Sequence, residues 1–407
     1  MVMSRTDDVA KSILAYNRGR DPQRMARKFE LLRSDPFSFF RGTCHLFYSS
    51  LRPDPVLAGA PAVLTCGDLH LENFGTYKGD NRLVYFDLND FDEAALAPFT
   101  LELVRFVTSI LVAAEHLGLS KPQATRLCCI FVENYRRSIG DGKARWIERS
   151  TADGMVKDLL HSLEERTRKE LLDKRTERTK SGRRLLIDEK HTLAIAADDR
   201  SRIKTLLARF AATTDHPEFY VLLDAARRIA GNGSLGVERY VLLVEGKGSP
   251  DDNYLLDLKL ALPSAFAPVI TLRQPKWESE AQRVVTIQRI VQAISPARLH
   301  AVSSDGKSYV LKEMQPIADR LDLALWHGHF ERLEGVINCM AEVTAWGELR
   351  SCARLGAVSV EELQQFVAGT AWDKKLLALA AESCAQTIVQ WREYCKAYDG
   401  GQLGAKP

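Results

Sequence analysis

The stretch GDLHLEN, residues 67–73, sets an Asp and an Asn five positions apart, directly after the strand-like run AVLTC. From one loop both can face a phosphoryl-transfer centre. Asp68 would orient an attacking hydroxyl and take its proton, and Asn73 would hold Mg2+ through its carbonyl oxygen. His70, inside the loop, reads as a structural hydrogen-bonding residue. A second acidic group follows in YFDLNDFDEA, residues 85–94, with Asp87 at a strand end and then Asp90 and Asp92. Carboxylates so close repel one another unless a cation lies among them. Mg2+ is therefore the natural occupant, with one of these aspartates bridging it to phosphates. A solvated surface loop would use the same residues without this chemistry.

The run AGNGSLGVERY, residues 230–240, places Gly231, Gly233, Ser234 and Gly236 between two strand-like segments. A lone G-x-G-x-x-G is a weak signal. Before a helix it would suggest a dinucleotide site. With strands on both sides it suits a flap whose backbone N–H groups cover phosphates. Lys259, in YLLDLKLA, lies on the third strand, where a lysine can reach the α- and β-phosphates of ATP. Glu278 or Glu280, at the start of the following helix, can pair with it. A strand lysine facing solvent is the plain alternative.

These residues need a scaffold, and apolar periodicity supplies its outline. A helix is expected over 8–34, then a turn at Asp35-Pro36 and an aromatic segment around Arg41. That arginine either touches a phosphate or ties the N-terminal segment down. AVLTCGD and NRLVYFDL read as strands, and the chain from Pro98 to about Arg137 as helical. Residues 164–190 are dense in charge and read as a solvated helix and flexible loop. From 215 the order is three strands, a helix over 279–294, and two strands around Asp305-Gly306. Residues 317–397 return to helix, and the tail GGQLGAKP reads as disordered.

The bulk numbers exclude some classes. The chain has 407 residues, 45% hydrophobic and 27% charged, with net charge +3. That is ordinary globular composition, too mildly basic to argue for nucleic acid. No run approaches 18 apolar residues, and the N-terminus lacks an apolar signal core, so no membrane is expected. The eight cysteines form no C-x-x-C pair. Free thiols in a reducing cytoplasm fit best, and a zinc site does not.

Together the pieces resemble the small-molecule side of the protein-kinase-like superfamily. GDLHLEN is similar to the H-G-D-x-x-x-x-N loop of aminoglycoside and choline phosphotransferases, with Cys66 in place of the leading His. NDFDEAALAPFTLELVRF is similar to that family's I-D-F … P-x-x-x-D-L segment, with Glu102 in place of the second Asp. Counting back from Glu102 favours Asp90 as the metal ligand, and counting forward from Asn73 favours Asp87. More closely, FFRGT, GDLHLENFG, FDLNDFDE, GNGSLGVERY and LDLKLA resemble a bacterial family known as domain of unknown function 2252.

The resemblance implies an α+β, protein-kinase-like two-lobe fold. Because the catalytic-type loop precedes the Gly-rich turn, the fold would be circularly permuted. Residues 1–214 would begin the helical lobe, 215–316 form the small nucleotide lobe, and 317–407 complete the helices. The expected activity is an ATP- and Mg2+-dependent phosphotransferase acting on an unidentified hydroxyl acceptor. Transfer of AMP, or nucleotide sensing without turnover, are the alternatives. Lys259 should approach the acids at 87–90, Asp68 and Gly233 should share one cleft, and 305–317 should form a hinge near the adenine site.

Overall fold

The computed structural model describes residues 5–180, 182–231, 233–316 and 318–403. The fold is α+β. The expected N-terminal helix is two helices, Arg5–Tyr16 and Pro22–Ser34. Gly19 at φ +81° breaks the run, and Asp21 accepts a hydrogen bond from the Arg24 N–H to restart it at Pro22. Asp35 caps the short helix Pro36–Gly42 in the same way.

Two small antiparallel sheets carry the acidic loops. Strand β1 (Ala62–Thr65) pairs with β4 (Ala95–Pro98), and β2 (Phe74–Lys78) pairs with β3 (Val84–Leu88), which is joined by β5 (Ile147–Glu148). The loop 66–73 and the loop 89–94 therefore leave neighbouring strand ends. Behind them the Phe99–Ala113 helix is apolar nearly all round and buried, and it packs on the Trp372–Asp399 helix. The Lys121–Asp141 helix packs beside it, and the Phe330–Ser351 helix packs on that helix in turn to complete one large core. The N-terminal helices close on the Trp372–Asp399 helix, with Ile13, Leu32 and Tyr394 buried together. Leu403 joins that cluster, so the start of the tail is packed. Residues 404–407 lie outside the described residues.

A short hairpin, β6 (Thr176–Thr179) and β7 (Gly182–Leu185), precedes a six-stranded antiparallel sheet. The sheet holds β8 (Thr192–Leu193), β9 (Leu222–Arg228), β10 (Arg239–Val244), β11 (Tyr254–Leu260), β12 (His300–Ser304) and β13 (Lys307–Glu313). Its spatial order is β12-β13-β11-β10-β9-β8. The Asp305-Gly306 turn has both residues at positive φ, +54° and +74°, the backbone of a tight hairpin. The Glu280–Val291 helix links β11 to β12, packs on β12 and β13, and also touches the Phe330–Ser351 helix.

The charge-dense segment 164–190 holds the expected solvated helix, Arg168–Arg175, but the expected flexible loop is a packed hairpin. Leu172 and Leu185 are buried against Ala226, Val241, Leu243 and Leu255 of the sheet. Arg183 has a fully buried side chain because Asp173 and Asp251 both pair with it. Dense charge hid a short apolar face whose partners lie far along the chain. No helix among the described residues is long and apolar enough to cross a membrane.

Candidate active site

Strand β1 runs into Gly67, which sits at φ +80°. A Cβ there would lie 2.0 Å from the Glu93 carbonyl oxygen, so only glycine lets the two acidic loops touch. The Gly67 N–H donates to Glu102 Oε1 at 2.9 Å, and the Tyr48 hydroxyl donates to its carbonyl at 2.7 Å. Asp68 follows from this fixed point. Arg105 Nε donates to Asp68 Oδ1 at 2.6 Å. The Arg105 side chain is fully buried, with its guanidinium 4.2 Å from the Phe40 ring centroid. Burial pushes the Asp68 carboxyl above its usual pKa, against the downward pull of Arg105.

Asn73 clamps the two loops together. Its Nδ2 donates to the carbonyls of Asp68 and Asp90, each at 3.1 Å, and its Oδ1 accepts the Asp90 N–H at 2.8 Å. The oxygen expected to hold Mg2+ is thus engaged by backbone. His70 Nδ1 accepts the Glu72 N–H at 3.1 Å, and burial holds the ring neutral. Its role is the structural one.

The two candidate metal aspartates separate clearly. Asp87 is 2% exposed, and its oxygens accept the N–H groups of Leu88 and Ala293, with Arg350 at 3.5 Å. It fastens β3 to the chain after the Glu280–Val291 helix and does not line the cleft. The Asp90 side chain is 51% exposed and does line it. Burial raises the Asp90 carboxyl, but Lys259 and Lys312 outweigh this and hold it below its usual value.

Lys259 Nζ contacts an Asp92 oxygen and lies 3.9 Å from Asp90 Oδ2. Burial alone would lower the ammonium pKa, yet these two carboxylates raise it. The expected pairing with Glu280 is not formed. Glu280 opens its helix and pairs with Arg283 three residues on, at 2.7 Å. Arg283 is itself anchored on the carbonyls of Ala94, Asp92 and Leu262. A same-helix partner already held in place outcompetes a lysine drawn to two nearer carboxylates.

The Gly-rich turn lies over this acidic group. Gly231 and Gly236 both have φ +82°. The Gly233 carbonyl accepts from Lys28 Nζ at 2.7 Å and Arg20 Nη1 at 2.9 Å, and the Gly236 carbonyl accepts the Asp21 N–H at 3.2 Å. The N-terminal segment therefore ties the turn down. Asn232 lies outside the described residues.

Two cavities meet here. The larger, about 950 Å³, is lined by Lys259, Lys312, Asp257 and the 313–316 segment. The smaller, about 80 Å³, is lined by Asp68, Tyr16, Arg20, Arg41 and Glu93. Asp90, Asp92, Gly231, Ser234 and Arg320 line both. Asp68 and Gly233 thus face one cleft, and Gly236 stands behind it. The 313–316 segment bridges the sheet to β2. Met314 N–H donates to Leu255 O, and the Gln315 side chain bonds the Lys78 backbone. Ile317, at the end of the expected hinge, lies outside the described residues. Near Met314 the sheet face is covered by Leu171, Leu172 and Leu185.

Several groups escaped the sequence reading. Glu93 is pushed up to about 7 by burial and by Asp68 beside it. Asp257 is bound by Arg239 through two hydrogen bonds and by Arg228 at 2.9 Å, which spreads fixed charge over the sheet face. Arg105 did leave a signal, as the one cation in a mostly apolar helix.

A family model described as an uncharacterized protein conserved in bacteria, DUF2252, matches residues 20–397. The chain belongs to the DUF2252 family. The matched span includes every residue of the two acidic loops, the Gly-rich turn and Lys259. No curated protein and no solved structure matches the chain.

Proposed function

We propose that this DUF2252 protein is an ATP- and Mg2+-dependent phosphotransferase on a permuted kinase-like pair of lobes. One observation carries the reading. The two cavities join across Asp90 and the Gly-rich turn, while Lys259 lines only the larger and Asp68 only the smaller. That division suits a nucleotide in the larger space with its terminal phosphate directed at Asp68. The order strand, Gly-rich turn, strand, lysine strand, helix and two strands is that of a kinase nucleotide lobe. Its position after the acid loop in sequence supports permutation.

Each side chain then has a task. Lys259 and the backbone of the Gly-rich turn hold phosphate oxygens. Asp68, its Oδ1 fixed by Arg105, orients the acceptor hydroxyl. The hydroxyl oxygen bonds to the γ-phosphorus as the bond to ADP breaks, and the proton passes to Asp68. Asp90 and Asp92 would hold Mg2+, which when bound would neutralise phosphate charge. Among the described residues no group of three or more His, Cys, Asp or Glu could hold a metal ion by itself. Asn73 fixes the loop geometry.

The test is label transfer. The protein is incubated with a small-metabolite extract and ATP labelled at either the γ- or the α-phosphate. Transfer of the γ label is expected. Transfer of the α label would reassign the site to AMP transfer, and no response to ATP with Mg2+ in any assay would refute a nucleotide enzyme.

A further inference from the structure

The smaller cavity carries its own charge pattern, and that pattern bears on the acceptor. Four acids face it: Asp68, Asp90, Asp92 and Glu93. Three are matched by cations, Asp68 by Arg105 and the other two by Lys259. Glu93 accepts the Ala265 N–H. The arginines of the same cavity are less well matched. Arg20 donates to two carbonyls, those of Gly233 and Leu235. Arg41 and Arg320 share one carboxylate, Glu72, at 2.6 and 3.5 Å.

Arg41 is the decisive group. It lines the cavity and is 9% exposed, yet its Nε has no hydrogen-bond partner among the described residues. Its aliphatic and π surface is held by the Phe37 ring, 5.6 Å from the guanidinium carbon, so the group is fixed in place. The Gly-rich turn lies close to the Arg41 backbone, since a Cβ added at Gly233 would stand 3.4 Å from the Arg41 carbonyl oxygen.

We propose that this cavity takes a small hydroxyl-bearing anion, a hydroxy acid or a phosphorylated polyol, with its anionic group on Arg41 and its hydroxyl at Asp68. The proposal rests on the phosphotransferase reading above. A planar guanidinium recognises either a carboxylate or a phosphate by paired hydrogen bonds. In the reaction the acceptor oxygen bonds to the γ-phosphorus of ATP, the bond to ADP breaks, and the hydroxyl proton goes to Asp68. The space of about 80 Å³ suits a small acceptor. Glu72 competes with the substrate for Arg41 and Arg320, which keeps the arginines paired when no substrate is bound.

Calorimetric titration in the presence of ADP and Mg2+ tests this with matched probes: glycerate against glycerol, and glucose 6-phosphate against glucose. At least one anionic member should bind, and the carboxylate and phosphate pairs show which anion the site takes. The neutral partners should bind at least tenfold more weakly. Arg41→Gln should weaken the anionic ligand by about tenfold or more, the scale of a lost charged hydrogen bond. Arg320→Gln, at a half-exposed position, should weaken it by a few-fold without a folding penalty. Glu72→Gln should tighten it, which a purely structural role for the ion pair would not produce. Wild-type binding of ATP with Mg2+ is the control. If the control fails, the phosphotransferase reading falls and this one with it. If the control holds, either of two results overturns this inference alone: no anionic probe binds, or neutral probes bind as tightly. Unchanged anion affinity in both arginine variants would overturn it as well.

Discussion

Asp87 and Asp90 stand three residues apart and are used in opposite ways. Asp87 closes a strand end, with two backbone donors and Arg350 satisfying a buried carboxylate. Asp90 keeps half its side chain open to two cavities, and its nearby cation is Lys259 at 3.9 Å. The same contrast repeats on β11. Asp257 is saturated by Arg228 and Arg239, whereas Lys259, two residues on, reaches out to the acidic loop. A carboxylate with every lone pair engaged holds structure. One with spare lone pairs, kept ionised beside a lysine, is available to a ligand.

Substitutions can break that contrast, and the largest effect should fall at Asp68. Asp68→Asn keeps the loop shape but removes the base. Turnover per folded molecule should drop by roughly a hundredfold or more. Because Asn leaves Arg105 without its anion, the folded fraction must be measured alongside. Wild-type turnover in the variant would make Asp68 structural. Next comes the aspartate pair itself. Asp90→Ala should weaken ATP binding in Mg2+ by more than tenfold with little change in unfolding free energy. Asp87→Ala should leave ATP binding nearly intact and cost on the order of 3 kcal/mol of stability in urea unfolding, the scale of a broken buried ion pair. The reverse pattern would exchange their roles.

A subtler contrast concerns pH. Burial raises the Glu102 carboxyl to about 7, against the donors Cys66 and Gly67. A carboxyl raised on folding favours the native state while protonated. Its stabilising effect is complete below the unfolded value of about 4.5 and is lost as pH rises to about 7. Stability should therefore fall across that window, and Glu102→Gln should flatten the fall. An unchanged slope would assign the dependence to other groups. The smallest effect is expected at Glu280. Since its partner is Arg283 rather than Lys259, Glu280→Gln should change ATP affinity less than twofold and stability by a few tenths of a kcal/mol. A large loss of ATP binding there would restore the pairing expected from sequence.

The loop 67–73, the acidic run at 87–92, the Gly-rich turn and Lys259 were legible because each is a local signal of residue type and spacing. The strand order around Lys259 was legible because alternation and tight-turn residues mark hairpins. Long-range choices were not. Sequence offered Lys259 two glutamates on the next helix, but it could not show that Arg283 would hold Glu280. Nor could it show that the loop after β3 would bring Asp92 closer. Counting favoured Asp87 and Asp90 equally, and only the packing of the Ala293 N–H and Arg350 separates them. Within 164–190 the helix was legible but the packed hairpin was not, because Leu172 and Leu185 meet their partners only in the folded sheet. Lys28 and Arg20 carry no sign in sequence that they grip the Gly233 carbonyl.

The central claim is that one cleft holds a triphosphate between the Gly-rich turn, Lys259 and Asp90 and directs it at Asp68. A crystal structure with a non-hydrolysable ATP analogue and Mg2+ tests it most directly. The account predicts the nucleotide in the larger cavity, metal density on Asp90, and the terminal phosphate facing the smaller cavity beside Asp68. A nucleotide bound away from Lys259, or one whose terminal phosphate points away from Asp68, would contradict it.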